Sequence, residues 1–316
     1  MIKLIVFLPH FCVYMLSYYN FFYILFIGAG FPLLRYMSQH FDPNSNNMVR
    51  FFAGSVVLLL YGIYRYREQF VLIFQDKNLF WRVILLAILM STNMYLFMLG
   101  LTNTNAVTGS IFSVLAMPLA LLMAALFYAD ERQRVIQPQF YVGTIIAVIG
   151  SFLFISFRHK ITSDNGSDFI LGTICFIFAI VIQAAQSLII KSVKGRLHAV
   201  IISFYTALLA GIINLIICIH THKLVQLASV SEGLLIALAL AGIYGIVTGM
   251  MMSFHIVQTQ GIVIYNMLQL LVPVAAAFFA YIFLHEKMTL GQIFSAFPII
   301  AGCLWALKQD DKNKPS

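Results

Sequence analysis

Charge is what this sequence has least of: 9% of its 316 residues are Asp, Glu, Lys or Arg, where a soluble domain carries about 25%. So few charges cannot cover the surface of a water-soluble fold of this length, which excludes a soluble enzyme or binding domain. Cysteine is scarce too. Cys12, Cys175, Cys218 and Cys303 are scattered through apolar stretches without paired spacing, so they read as packing residues rather than as a disulfide framework or metal site. The chain has no GxxxxGK[ST] phosphate loop and no connection long enough for an ATPase domain, so any energy source is a gradient. Paired intramembrane carboxylates, a His/Glu metal set and a Ser or Cys with an adjacent base are missing from the apolar segments, so the chain does not read as an enzyme. His220 and His222 stand two apart in an outside loop, which by itself is a poor metal signature. No metal and no cofactor are expected.

Apolar residues fill the place that charge leaves. They make up 61% of the chain, with a mean hydropathy of +0.93, and they fall in runs near the roughly 20 residues a helix needs to cross a hydrocarbon core. Ten runs fit: residues 16–38, 47–64, 81–101, 106–128, 140–157, 169–190, 198–219, 234–257, 262–284 and 290–307. Strands of a membrane barrel would alternate instead. The expected fold is all-α and integral to a lipid bilayer, with ten transmembrane helices.

A net charge of +8 could suggest a nucleic-acid partner, but in a multispanning chain basic residues mark the cytoplasmic side. With both termini cytoplasmic, 13 of the 19 Lys and Arg residues fall inside; the 6 outside are Arg35, Arg50, Arg158, Lys160, Lys223 and Lys287. No nucleic acid is expected. Lys3 and the apolar run after it read as an uncleaved start rather than a signal peptide, since removing a span would spoil this partition. Residues 1–12 read as an extension and 308–316 as a short cytoplasmic tail. A composition heavy in Ile, Phe, Lys and Asn fits a bacterial inner membrane.

The chain also repeats itself. A shift of 155 positions places Leu115, Pro118, Ala120, Ala125 and Glu131 on Leu270, Pro273, Ala275, Ala280 and Glu286 without a gap. Within one residue the same offset pairs Asn93 with Thr248, Thr104 with Thr259, Ser110 with Tyr265 and Arg35 with Lys191. Spans one to five thus recur as six to ten, giving repeats at residues 1–157 and 158–307. An odd number of spans per copy turns the second upside down relative to the first. Two inverted copies can exchange conformations and open a shared site to either side in turn; duplication that merely builds a stable bundle remains the alternative.

Around these positions the sequence resembles the drug/metabolite transporter superfamily, in its ten-helix EamA-like branch. The likeness is carried by Met48-Val-Arg-Phe-Phe-Ala-Gly, Gly100-Leu-Thr-Asn-Thr-Asn-Ala, Met117-Pro-Leu-Ala and Asp130-Glu-Arg in the first copy. In the second it is carried by Gln258-Thr-Gln-Gly, Val272-Pro-Val-Ala and His285-Glu-Lys. The resemblance implies a carrier whose substrate cavity lies between the halves, lined mainly by spans one, three, four, six, eight and nine. It names no substrate, since members move amino acids, other metabolites, drugs or sugar nucleotides. Span one departs from the pattern, because its stretch Gly28-Ala-Gly-Phe-Pro lacks the Trp often found there.

No Asp, Glu, Lys or Arg falls near the middle of any span so drawn, which leaves a carboxylate proton relay without a carrier. What stands near mid-depth is neutral and polar, costly to face to lipid and so directed into the bundle. Span three offers Asn93 beside Tyr95, span four Ser110 and Ser113, span six Gln183 and Gln186, span eight Thr248, and span nine Tyr265, Asn266 and Gln269. These are the candidate substrate-binding residues, suited to a small neutral or zwitterionic molecule such as an amino acid or related metabolite. Their alternative use is to tie helices together. Pro118 and Pro273 lack the N–H that would bond Val114 and Gln269, four residues back, and are expected to kink spans four and nine. Gly245 and Gly249 have the spacing of a close helix contact. Arg35, Lys191, Glu131 and Glu286 read as interfacial charges at span ends. The expected function is secondary transport of a small organic solute by alternating access. The alternative is a non-transporting polytopic receptor or scaffold, and a homodimer is compatible with either.

Overall fold

The structure, a computed structural model, describes residues 18–103, 117, 119–157, 166–284 and 290–306. Every regular element among them is helical. Among the described residues, seven helices are long and apolar enough to cross a membrane, and Pro138–Gly150 and Ile293–Cys303 are two shorter apolar stretches. Span one is Tyr18–His40, two Pro43–Tyr66, three Lys77–Asn103, five Pro138–Ser156, six Gly166–Ser192 and seven Ala199–His220. Span eight is Glu232–Thr259, nine Ile262–Gln269 followed by Val272–Leu284, and ten Leu290–Ala306; of span four, helical residues 119–127 are described. Ile145, Ile149, Phe294 and Phe297 stand more than half exposed, as side chains facing lipid do.

Local chemistry sets the span limits. Span two begins four residues before its apolar run, because the Asp42 side chain accepts from the Asn44 N–H at 3.1 Å and Pro43 fills the first turn, where its missing N–H costs nothing. That start draws Asn44, Ser45, Asn46, Asn47 and Arg50 into the helix, all of them buried. Span eight is not uniform: Glu232–Gly245 passes through a π-helical segment, Ile246–Met252, into Ser253–Thr259. Such segments are rare and are frequently found at functional sites. Span nine is interrupted at Leu270 and Leu271, whose N–H groups donate to the carbonyls three residues back, at 3.2 and 3.1 Å, just ahead of Pro273.

Between helices in a membrane, close packing does the work that removal from water does elsewhere. Span five packs along ten, two along seven and three along six, while two also meets eight and one meets nine. Spans five and ten touch backbone to backbone: a Cβ on Gly302 would lie 2.5 Å from Ala147 N, and one on Gly143 would run into the main chain of Gly302 and Ala306. A Cβ on Gly28 would lie 2.5 Å from Ala275 Cβ, which fixes how closely span one crosses span nine. The main buried cluster mixes the halves, setting Tyr23, Leu58 and Leu86 among Ile201, Ile202 and Leu268. Equivalent pairs are not packed equally. The backbones of spans three and six approach closely along their length, whereas their counterparts by the duplication, eight and one, stand further apart and meet through long side chains, as Tyr244 with Phe26 and His255 with Tyr19.

Candidate functional site

Between the two halves, spans one, two, three, six, eight and nine enclose a cavity of about 160 Å³. Its wall includes Asn93, Gln183, Gln186, Thr248, Tyr265 and Gln269, so these candidates from four spans meet in one place. Two others do not join them. Tyr95 is half-buried away from the wall, and the buried Asn266 amide donates to the Ile262 carbonyl of its own helix at 2.8 Å. Ser110, Ser113 and Pro118 lie outside the described residues.

Tyr265 and Gln269 are one helical turn apart and so share a face. Gln269 Nε2 donates to the Tyr265 hydroxyl at 2.8 Å and to the Tyr23 hydroxyl at 3.2 Å, and Gln183 Nε2 reaches the same Tyr265 oxygen at 3.2 Å. One network thereby joins spans one, six and nine. Asn93 Nδ2 donates to the Ala179 carbonyl at 2.6 Å, and the Thr248 hydroxyl turns back on the Tyr244 carbonyl at 2.7 Å. The first ties span three to span six, while the second stays within span eight. The remainder is largely apolar, with Phe31, Phe51, Met90, Met94 and Phe97.

The wall also holds a charge that the hydropathy reading placed at the outer interface. Arg50 is 6% exposed and faces the cavity, about two turns inside span two. This corrects the expectation that Arg50 belongs with the outside charges: it is turned into the cavity, although not at the middle of its span. Its Nε has no hydrogen-bond partner, and Nη1 lies 3.9 Å from Met98 Sδ, a weak acceptor. One turn earlier Asn47, 1% exposed, also lines the cavity with both side-chain polar atoms unpartnered. Two glycines of span eight give Arg50 its room: a Cβ on Gly245 would lie 2.9 Å from Arg50 Nη2, and one on Gly242 would strike the Arg50 backbone. The signal in the sequence was the polar run Asn44-Ser45-Asn46-Asn47 behind Asp42-Pro43, a helix start that carries Arg50 inward. Tyr23 and Tyr244, which also line the cavity, gave no comparable signal among many tyrosines.

A second buried charge cluster lies where spans six and seven join, at the Leu197 end of the bundle. Lys191 Nζ is 2.6 Å from Glu131 Oε1 and 2.5 Å from Asp130 Oδ2, with Lys191 6% and Glu131 1% exposed. Neither Lys191 nor Glu131 is therefore the interfacial charge that its place at a span end suggested. Glu131 also accepts from the N–H groups of Ile262, at 2.7 Å, and Val263, at 3.1 Å, which open span nine and have no carbonyl partner within it. Gly261, at φ +102°, sits in the left-handed region, and a Cβ there would lie 2.5 Å from Glu131 Oε1. Next to this latch the Asn20 and Gln260 amides exchange two hydrogen bonds of 2.9 Å. Partial burial pushes the Asp130 carboxyl up, but the hydrogen bond and charge of Lys191 outweigh it and hold that group below its ordinary value.

Comparison with known proteins agrees with this architecture. The profile of the EamA-like transporter family matches the chain twice, over residues 16–156 and 170–308. An uncharacterized transporter of Haemophilus influenzae is 41% identical over 296 residues, spanning 92% of this chain and 97% of that protein. A protein known from its crystal structure shares the fold with a TM-score of 0.69 at 15% identity, over 92% of this chain and 96% of its own. Two family matches, one per repeat, take in nearly the whole length of a multi-pass helical protein that is a transporter and not an enzyme: the chain belongs to the EamA-like transporter family of the drug/metabolite transporter superfamily.

Proposed function

We propose that this transporter moves a small organic solute, an amino acid or related metabolite, through the central cavity by alternating access, with residues 1–157 and 158–307 as its two working halves. The observation that carries the reading is the unequal packing of equivalent pairs, spans three and six against spans eight and one. In an inverted repeat the second state arises when the halves exchange roles, so a pair that adjoins in one state has its counterpart adjoining in the other. The Lys191–Glu131–Ile262 latch then closes the Leu197 end, and its release opens that end. Asn93, Gln183, Tyr265 and Gln269 contact the solute. Both termini are assigned to the cytoplasm of a bacterial cell, on the distribution of Lys and Arg and the bacterial relative. The Leu197 end then faces inward.

The test is uptake into proteoliposomes containing the purified protein, with labelled amino acids and small metabolites, with and without an imposed proton gradient. Saturable, protein-dependent flux supports the reading and shows whether protons are coupled. No flux of any compound by well-folded protein would overturn it in favour of a receptor or scaffold role.

A further inference from the structure

We propose that the solute carries a carboxylate and that Arg50, with Asn47, holds it; this rests on the reading of the cavity as the solute's route. A guanidinium stays ionised in a protein, and burying it without an opposite charge costs several kcal/mol. Among the described residues no carboxylate pairs with Arg50, and none lines the cavity. Ionisable groups kept at such depth mark substrate or ion pathways. Here the buried charge lines the cavity without a partner of its own: Nε makes no hydrogen bond, Nη2 packs beside Gly245, and the Asn47 amide, buried and also unpartnered, lines the cavity one turn away. A guanidinium edge presents two parallel N–H donors, which match the two oxygens of a carboxylate.

The charge count narrows the class. One arginine balances one negative charge, so a monoanionic carboxylate leaves the pair neutral, whereas a phosphate dianion would leave excess charge in a poorly solvated site. With no Asp or Glu in the described wall, an ammonium group on the solute has no ionic partner. The carboxylate is the required feature and an amino group is not. The rest of the molecule lies against Phe31, Met94 and Phe97 and reaches the Gln183–Tyr265–Gln269 network. A wholly uncharged solute, which the mid-span amides alone would have suited, gives way to an acid.

The experiment is ligand-induced thermal stabilisation of the full-length protein in detergent, using short aliphatic and aromatic carboxylates each paired with its amide. The pairs include 4-methylpentanoate with 4-methylpentanamide and leucine with leucinamide, and inorganic phosphate forms a separate arm. Acids are expected to stabilise the wild type with affinities about ten- to a hundred-fold above those of their amides, the loss expected when a hydrogen bond to a charged group is removed. Arg50→Gln should abolish that preference and Arg50→Lys restore part of it. If Arg50→Gln does not fold, the acid and amide pairs on the wild type decide alone. Equal response to acid and amide, no response to any acid, undiminished acid binding by Arg50→Gln, or response to phosphate alone would each overturn the assignment. Uptake separates it from the transport reading: acids that bind but are never carried uphold the anchor and overturn the route, while amides carried as well as acids do the reverse.

Discussion

The Glu131 carboxylate rests on the opening of span nine, 2.7 Å from the Ile262 nitrogen, so a residue of the first repeat caps a helix of the second. An acidic cap at a helix start contributes about 0.3–2 kcal/mol. Breaking a buried ion pair by removing one partner costs about 3–5 kcal/mol. The contact with Lys191 therefore dominates the energetics of the latch, and the cap dominates its direction.

Lys191→Met should lower stability by about 3–5 kcal/mol, because it leaves Glu131 charged and buried. Glu131→Gln in the same chain should recover part of that loss, since the amide oxygen still accepts from Ile262 and no charge remains. Thermal unfolding of the single and double variants in detergent measures the coupling. Strict additivity would mean that the two side chains do not share one energetic unit.

Gly261→Ala should destabilise by about 1–3 kcal/mol through backbone strain alone, and by more because the new methyl takes the place of Glu131 Oε1. The same change at Gly233, where a Cβ meets nothing within 4 Å, provides the control. Similar melting temperatures for the two variants would contradict the geometry at Gly261.

Closing the Leu197 end permanently should stop transport without unfolding the protein. Asn20→Cys with Gln260→Cys places a reactive pair where two amides now meet, and a short bifunctional maleimide would join them. The buried Cys175, Cys218 and Cys303 give little background, and Cys12 is replaced by serine for the experiment. Uptake should fall to the protein-free level after cross-linking and stay normal when either cysteine is alone; full activity of the cross-linked protein would show that this end need not open.

Within the cavity, Gln269→Ala should reduce uptake while leaving folding largely intact, because its partners Tyr23 and Tyr265 keep their hydroxyls in a polar cluster. Gln183→Ala and Tyr265→Ala should act alike. Asn93→Ala should cost stability as well, since it frees the Ala179 carbonyl. Unchanged uptake kinetics in all four variants would remove these residues from the route.

The Asp130 carboxyl lies below its ordinary value, so its contact with Lys191 is fully stabilising above that ordinary value and is lost only as pH falls through the lowered one. The stability difference between wild type and Asp130→Asn should stay flat from about pH 8 to pH 5. A difference that fades near neutrality would assign the titration to another group.

Apolar runs disclose helices because lipid demands an unbroken apolar surface, and spans seven and nine were legible for that reason. Span two was misjudged at its start, since a helix can carry polar side chains into the bilayer wherever other helices cover them, and cover is a tertiary property. Arg50 was lost to that effect. Lys191 and Glu131 sit at span ends, where charges usually reach water, and only the approach of span nine buries them. Asn93, Gln183 and Gln269 were easier to find: a neutral amide in the middle of an apolar run has few places to point except inward. Whether such an amide faces the cavity, as Gln269 does, or its own helix, as Asn266 does, depends on the neighbouring helices and not on its spacing.

The contact between Gly143 and Gly302 bears on the order in which the chain is made. Span ten is synthesised after every other described helix, yet it is the close neighbour of span five, backbone against backbone at the two glycines and with Ile299 and Cys303 packed beside Ala147 and Phe140. Until it inserts, that face of span five lies open to lipid, without its main neighbour. A ribosome stalled before Leu290 would leave behind a half-assembled bundle, which makes the last helix the step that commits the protein to its final form.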